Sequence, residues 1–183
     1  KVVGMPLEVR GKASNTNLQD GVSVTTSEII YNGNIQGLSL DPEHLKLNGD
    51  YQAKDAGDYN LTVSPADGYI WVDGITSEKK YNWSIGKKNL RIEYKGEAIH
   101  LDETPKLKIE DFSTYFVSGE NEDNAEGFVM PTLTAPEELE VGKRYSLKPS
   151  GGEAKNYYFN YCRGGLVVVP DDVKIVEVPA RNT

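Results

Sequence analysis

The sequence predicts a mainly β protein made of two tandem antiparallel β-sandwich modules. Apolar and polar residues alternate in many short segments, the period of two that is typical of strands with one buried face. The chain contains 18 Gly and 9 Pro among 183 residues, a content of turn formers that suits many short strands better than a helical bundle. One β unit also occurs twice along the chain. These observations place a first module at residues 1–88 and a second at residues 89–183.

Alternating segments follow one another from residue 21 onwards, and most are bounded by Gly, Pro, Asn or Asp. They are GVSVTTSEI (21–29), DYNLTVSP (58–65), YNWSIG (81–86), LRIEYKG (90–96), LKIEDF (107–112), RYSLKP (144–149) and VKIVEV (173–178). The apolar run GLVVVP (165–170) fits a strand buried on both faces or a strand at a module junction.

Two stretches predict helical turns instead. In DPEHLKL (41–47), Asp41 can cap a helix whose first position is Pro42, where a missing N–H costs nothing. The second stretch is EDFSTYF (110–116). If residues 109–116 form a short helix, the alternative architecture for the second module is an α+β, β-grasp-like sheet.

Internal repetition gives the module boundary. IIYNGNIQGLSLD (29–41) aligns with IEYKGEAIHLDE (92–103), AGDYNLTVSPADGY (56–69) with VGKRYSLKPSGGEAKNY (141–157), and KKYNWSIGKKNL (79–90) with AKNYYFNYCRGGL (154–166). The second copy is longer because it contains an insertion. The boundary therefore falls near residues 86–90, and residues 1–20 are either the first strand or the tail of a preceding copy.

Charge and composition restrict the partners. A net charge of -8 and a pI near 4.9 oppose binding to phosphate backbones, so we expect no nucleic-acid partner. No window of about 18 apolar residues exists, so we expect no membrane insertion within this fragment. The single cysteine excludes an intramolecular disulfide. The chain begins at Lys1, and we expect a mature or excised fragment, monomeric on its own, with its export signal and anchor outside it.

The ordered motifs of residues 28–170 resemble those of bacterial cell-surface repeats called "mostly beta, glycine-rich" (MBG) domains and related immunoglobulin-like modules. The second copy supplies Tyr94-Lys95-Gly96, the turn at 116–120, Val141-Gly142 before Tyr145, and the closing stretch 156–169. The first copy supplies Tyr31-Asn32-Gly33, the stretch 55–59 and DGYIWVDGITSEKKYNWSIGK (67–87). Glu120 departs from the Asp that this family often has, and the insertion after Thr114 is unusually acidic.

The resemblance implies an Ig-like β-sandwich fold and an extracellular or cell-surface location. It implies a non-catalytic structural and adhesive segment of an exported bacterial protein, acting as a spacer or stalk and contacting a host surface protein or polysaccharide. The alternative from another class is a carbohydrate-binding accessory module of a secreted glycosidase.

Three aromatic residues of the first module form a candidate ligand site: Tyr69, Trp71 and Trp83. Together they could build a flat face for sugar stacking, because Trp and Tyr are favoured at binding surfaces. Packing in the core is the favoured interpretation, since a β-sandwich needs large inward residues. Burial of both tryptophan rings would remove the platform.

The acidic loop SGENEDNAEGF (118–128) is a candidate Ca²⁺ site in a chain for which we otherwise expect no cofactor. Its oxygen donors, which suit a hard cation, are Glu120, Glu122, Asp123, Asn124 and Glu126. The twelfth position of the corresponding EF-hand loop would be Leu133, which has no side-chain oxygen. A solvated, mobile loop is therefore favoured.

Residues suited to catalysis are few, and we predict no catalytic site. His44 and His100 are the only histidines, and they belong to different copies. Cys162 lies beside the aromatic segment 157–161 and is interpreted as a small buried hydrophobic group.

Overall fold

The computed structural model describes residues 10–11, 16–19, 22–25, 29–40, 42–71, 74, 76–108 and 115–177. These residues form a mainly β structure, as the alternating segments predict: 14 strands and one 3₁₀ helix of three residues. The chain divides into two compact units, Lys1–Lys88 and Asn89–Thr183. No helix in the described ranges has the length and apolar character that crossing a bilayer requires.

The first unit contains nine strands in three sheets. The strands are β1 (Arg10–Gly11), β2 (Thr16–Gln19), β3 (Val22–Thr25), β4 (Ile29–Ile30), β5 (Gln36–Ser39), β6 (Leu45–Gly49), β7 (Gln52–Ala53), β8 (Gly57–Pro65) and β9 (Lys79–Gly86). The largest sheet has the order β4-β9-β8-β6, and smaller sheets have the orders β1-β5-β7 and β2-β3. The 3₁₀ helix Pro42–His44 leads into β6.

Strands β8 and β9 form the centre of this unit. They pair antiparallel with Tyr59 opposite Trp83 and Leu61 opposite Tyr81. From Tyr81 to Ile85 every second residue of β9 is buried, because successive side chains of a strand point to opposite faces. The alternation of YNWSIG thus predicts both the strand and the face that packs in the core.

The edge strand β4 pairs with β9 in parallel, with Ile29 opposite Ile85. The pairing continues past the strand, where the main-chain N–H of Tyr31 donates to the carbonyl of Gly86 at 2.8 Å. The buried amide of Gln36 stabilises this edge, since its Nε2 donates to the carbonyl of Ile30 at 2.8 Å.

The second unit contains five strands in two sheets, and the first of these strands begins at Lys88, the last residue of the first unit. The strands are β10 (Lys88–Glu93), β11 (Glu97–His100), β12 (Arg144–Leu147), β13 (Tyr157–Cys162) and β14 (Gly164–Val169). One sheet has the order β11-β14-β12 and the other pairs β10 with β13. Strand β14 is parallel to β11 and antiparallel to β12. The core cluster along β14 consists of Tyr94, Ile99, Leu147, Leu166 and Val168.

The two Tyr-x-Gly motifs share one main-chain hydrogen bond. When β9–β10 is aligned with β13–β14 without a gap, Gly86 corresponds to Cys162. The N–H of Tyr31 donates to the carbonyl of Gly86, and the N–H of Tyr94 donates to the carbonyl of Cys162 at 3.2 Å. Both motifs end in a glycine with left-handed backbone, Gly33 with φ 81° and Gly96 with φ 86°.

The strands that follow these carbonyls are also alike. Strands β10 and β14 alternate between buried and accessible residues. Leu90 and Ile92 in β10 correspond to Leu166 and Val168 in β14, and all four side chains have 0% exposure. The two aligned segments therefore share one main-chain hydrogen bond and one burial pattern.

Some predicted elements differ from the structure. Each unit contains a parallel strand pair, whereas the sequence predicts antiparallel modules. Of DPEHLKL, residues 42–44 form a 3₁₀ helix and residues 45–47 belong to a strand, because pairing of β6 with β8 replaces a longer helix. Asp41 and residues 109–114 lie outside the described residues, so the cap and the helix of the β-grasp alternative stay predictions.

The segment VKIVEV is not a strand within its described residues 173–177. Its apolar side chains are exposed, Val173 by 43%, Ile175 by 40% and Val176 by 84%. Alternation alone does not make a strand, because a strand also needs a partner for its main-chain N–H and C=O groups. We define residues 171–177 as the exit segment, since they follow β14.

Candidate functional site

Trp83 lies in the core of the first unit, with 8% of its surface exposed. Its ring stacks on Tyr59 with centroids 4.6 Å apart, and its Nε1 donates to the carbonyl of Asp50 at 2.7 Å. Both the face and the polar atom of the ring are thus engaged by protein groups. The side chain acts as a packing residue of β9.

Trp71 and Tyr69 have contacts different from those of Trp83. Trp71 is 3% exposed, and its Nε1 donates to the carbonyl of Ser77 at 2.9 Å. The half-buried Tyr69 stacks on His44 with centroids 4.3 Å apart. Because both tryptophan rings are buried, they do not present the exposed flat platform that sugar stacking needs.

The acidic loop of the second unit is organised by its own amide groups. The side-chain oxygen of Asn121 accepts from the N–H groups of Asp123 at 2.8 Å and Asn124 at 3.1 Å. In return, Asn124 accepts from the N–H of Asn121 at 2.7 Å and donates to the carbonyl of Gly119 at 2.9 Å. These bonds form a turn of the Asx type, which gives the loop a definite conformation.

Other predicted cation ligands bond to protein groups. The carboxylate of Glu120 accepts from the hydroxyl of Tyr157. The carboxylate of Glu126 lies 3.3 Å from the ammonium of Lys155. Glu122 is half-buried and Asp123 is exposed. Within the described ranges, no group of three or more His, Cys, Asp or Glu side chains is arranged to hold a metal ion.

The second unit contains a row of five aromatic rings that the sequence did not predict as a site. Successive centroids lie 5.4 Å apart for Tyr157 and Phe116, 5.8 Å for Phe116 and Phe128, 5.9 Å for Phe128 and Phe159, and 6.2 Å for Phe159 and Tyr161. Distances of this size are typical of interacting aromatic pairs. We call these five residues the aromatic row.

The aromatic row extends from the core to the surface. Tyr157 and Phe116 are buried, whereas Phe128, Phe159 and Tyr161 are half-buried. Tyr157, Phe159 and Tyr161 share one face of β13, because alternate residues of a strand point the same way. We define Phe128, Phe159 and Tyr161 as the outer aromatic surface.

Two exposed apolar residues follow Phe128 in the chain, and a main-chain group fixes the position of Tyr161. Val129 and Met130, which follow Phe128 in the chain, are 44% and 40% exposed. The hydroxyl of Tyr161 accepts from the N–H of Gly152 at 2.9 Å, which fixes the outermost ring. The same hydroxyl donates to the carbonyl of Gly152 at 3.3 Å, so this surface offers aromatic area to a ligand while its hydroxyl bonds to the main chain. The alternation in NYYFNYC contained part of this signal, but it could not indicate the contribution of Phe128.

The two histidines considered for catalysis belong to different units. His44, in the first unit, stacks on Tyr69. His100, in the second unit, contacts Glu103 through Nδ1 and the carbonyl of Val173 through Nε2. Cys162 is half-buried at the end of β13, and its carbonyl bonds to Tyr94.

Comparison of the chain with protein-family models, with curated proteins and with solved structures finds no match in any of the three.

Proposed function

We propose that the chain is a non-catalytic structural and adhesive segment of an exported bacterial surface protein, built from two Ig-like modules of the MBG type. The observation that carries the proposal is the repeated closing signature. In both copies a Tyr-x-Gly motif bonds to the end of an aromatic strand, and a strand with two fully buried apolar residues follows. Repetition of one β unit is characteristic of proteins that act by extension and display.

The connection between the copies supports the same function. Strand β9 ends at Gly86 and β10 begins at Lys88, so one residue, Lys87, separates them. By alignment β10 is the counterpart of the closing strand β14, but it pairs with β13 in the second unit. A connection this short has few rotatable bonds, and tension along the chain passes directly from one strand to the next.

Each unit also contains one parallel strand pair that includes the last strand of that unit. The pairs are β4 with β9 in the first unit and β11 with β14 in the second. When force pulls the start of one parallel partner against the end of the other, the two strands slide past each other, so the hydrogen bonds between them are loaded together. An antiparallel hairpin pulled at its open end would instead lose its bonds one at a time. Parallel pairing thus suits a spacer under tension.

Single-molecule stretching tests the structural part of the proposal. We expect two separate cooperative unfolding events per molecule, each releasing about 3.5 Å of chain for every residue of the unit that unfolds. The force should exceed that of a three-helix bundle of similar length pulled at the same rate, because forced unfolding depends on the kinetic barrier. Gradual extension below the force of the helical control would contradict a load-bearing role.

A carbohydrate-binding accessory module is the second candidate function, and the outer aromatic surface supports it. Aromatic rings stack on the apolar faces of sugars, and the hydroxyl of Tyr161 is held in a fixed position by Gly152. This site lies in the second unit. The predicted platform of Tyr69, Trp71 and Trp83 lies in the first unit, where both tryptophans are buried.

A glycan array tests this second candidate. If the chain is such a module, it binds a neutral glycan, and Phe159→Ala weakens this binding at least about tenfold, which is about 1.4 kcal/mol. Tyr158→Ala is the matched control, because Tyr158 is 52% exposed and points to the opposite face of β13. Circular dichroism would verify that both variants fold. Absence of binding at high concentration of the parent chain would reject the candidate.

A further inference from the structure

His100 connects the end of β11 to the exit segment. Its Nδ1 lies 2.6 Å from a carboxylate oxygen of Glu103, and its Nε2 lies 2.6 Å from the carbonyl oxygen of Val173. The same Glu103 oxygen also accepts from the main-chain N–H of His100 at 2.9 Å. The imidazole therefore bridges two groups that belong to distant parts of the sequence.

The imidazole has two partners, the Glu103 carboxylate and the Val173 carbonyl. When Glu103 is ionised, both partners accept hydrogen bonds and neither can donate one. A neutral imidazole has one N–H donor and one nitrogen lone pair, whereas an imidazolium has two N–H donors. In the neutral form, one ring nitrogen would therefore direct its lone pair at an oxygen 2.6 Å away. With Glu103 ionised, both short contacts can be hydrogen bonds only when the ring carries two N–H donors, that is, when it is protonated.

We propose that His100 is a proton-operated latch, which holds the exit segment beside β11 when the ring is protonated and releases it when the ring is neutral. The latch is local. It joins a sheet edge to the segment that follows β14, because β11 lies at the edge of the order β11-β14-β12.

Release of the exit segment changes the surface along β11. A cleft of about 940 Å³ runs there, with β11 on one side and Ile175, Val176 and Glu177 of the exit segment among its other lining residues. When the segment leaves, the cleft loses this wall. The side of the cleft formed by β11 then becomes more accessible to solvent.

The charges around the ring favour the closed state. The bond to the Val173 carbonyl raises the pKa of His100, and the hydrogen bond and charge of Glu103 and the charge of Asp171 raise it further against partial desolvation. The other charged groups that line the cleft are Glu97, Lys106, Lys108 and Glu177. Glu97 is itself engaged, since it accepts from the N–H of Lys106 at 2.8 Å.

The sign of the pH dependence follows from this raised pKa. A group whose pKa is higher in the closed state than its usual 6.5 stabilises that state fully below 6.5. This stabilisation is lost as the pH rises through the raised pKa of the closed state. The exit segment is thus held at pH values below the raised pKa of His100 and released above it.

Nuclear magnetic resonance of the full chain tests the latch. We expect the ring of His100 to titrate with a pKa above 6.5, and His44→Gln would assign its signals among the two histidines. The {¹H}-¹⁵N heteronuclear NOE of residues 171–177 should fall in the same pH interval, which reports the onset of fast motion. A His100 pKa at or below 6.5, or an exit segment whose NOE is constant through the titration, would overturn the proposal.

Variants separate the latch from a general effect of pH. Glu103→Gln should lower the pKa of His100 and shift release of the exit segment to lower pH, because the carboxylate charge is removed. Glu137→Gln is the matched control, an exposed carboxylate outside the cleft, and should shift neither. His100→Ala, which has no donor for the Val173 carbonyl, should leave the exit segment mobile at every pH while the amide signals of β12 and β14 stay unchanged. Retention of pH-dependent release in His100→Ala would also exclude the latch.

Discussion

Replacing Gly164 by alanine is expected to destabilise the second unit by about 3 kcal/mol or more, the upper range for overpacking a rigid site. A Cβ at this position would collide with the carbonyl oxygen of Tyr94 and would lie 3.0 Å from the main-chain N of Gly96. These are main-chain atoms of a turn, which is fixed by the bond from Tyr94 to Cys162. The turn cannot move away as a flexible side chain could.

The neighbouring glycine provides a matched control. A Cβ at Gly165 would meet no heavy atom within 4 Å. Gly165→Ala should therefore be neutral or stabilise the fold by up to about 1 kcal/mol through the unfolded state. Hydrogen exchange of β13 and β14 followed by mass spectrometry would measure both variants. Equal protection in the two would show that the close approach at Gly164 does not constrain the fold.

Trp83→Ala should destabilise the first unit by about 3–5 kcal/mol, as removal of a buried aromatic ring does. The substitution removes the stacking on Tyr59 and the hydrogen bond to Asp50. It also leaves a cavity beside Gly37. The ring packs so closely on this glycine that a Cβ added to Gly37 would lie 2.9 Å from it. Chemical denaturation followed by the fluorescence of Trp71, the remaining tryptophan, measures the loss within the same unit.

Trp83→Phe separates packing from hydrogen bonding in this prediction. It keeps an aromatic ring opposite Tyr59 but lacks the N–H that Asp50 accepts, so we expect a cost of about 0.5–1.5 kcal/mol from the lost bond, plus a packing term for the smaller ring. The phenylalanine variant should remain clearly more stable than the alanine variant. If Trp83→Ala left the denaturation midpoint unchanged, the ring would not belong to the core, and the interpretation as a ligand platform would return.

The sequence predicts strands well where one face of the strand is buried. In β9 the alternating residues Tyr81, Trp83 and Ile85 are all buried, so periodicity identified both the element and its inward face. It could not identify the partner of a strand. The parallel pairing of β4 with β9 depends on contacts between residues distant in the sequence. For the same reason VKIVEV has the pattern of a strand but no described pairing.

The candidate sites show a similar division. Local sequence suggested core packing for Trp71 and Trp83, and their burial agrees with that interpretation. The outer aromatic surface needs Phe128, which approaches Phe159 from a loop far away in the chain. The proposed latch likewise depends on the main-chain carbonyl of Val173. Every residue has such a carbonyl, so the sequence does not indicate which one His100 contacts.

The bond between Tyr94 and Cys162 has a practical consequence for labelling the molecule. The position is used through its main-chain carbonyl, and the aligned position of the first copy is Gly86, which has no side chain. The thiol of Cys162 therefore takes no part in this main-chain hydrogen bond. Cys162 is half-buried and is the single cysteine of the chain. A fluorophore or a surface tether coupled to this sulfur would mark the junction of β13 and β14 at one defined point, without mutagenesis.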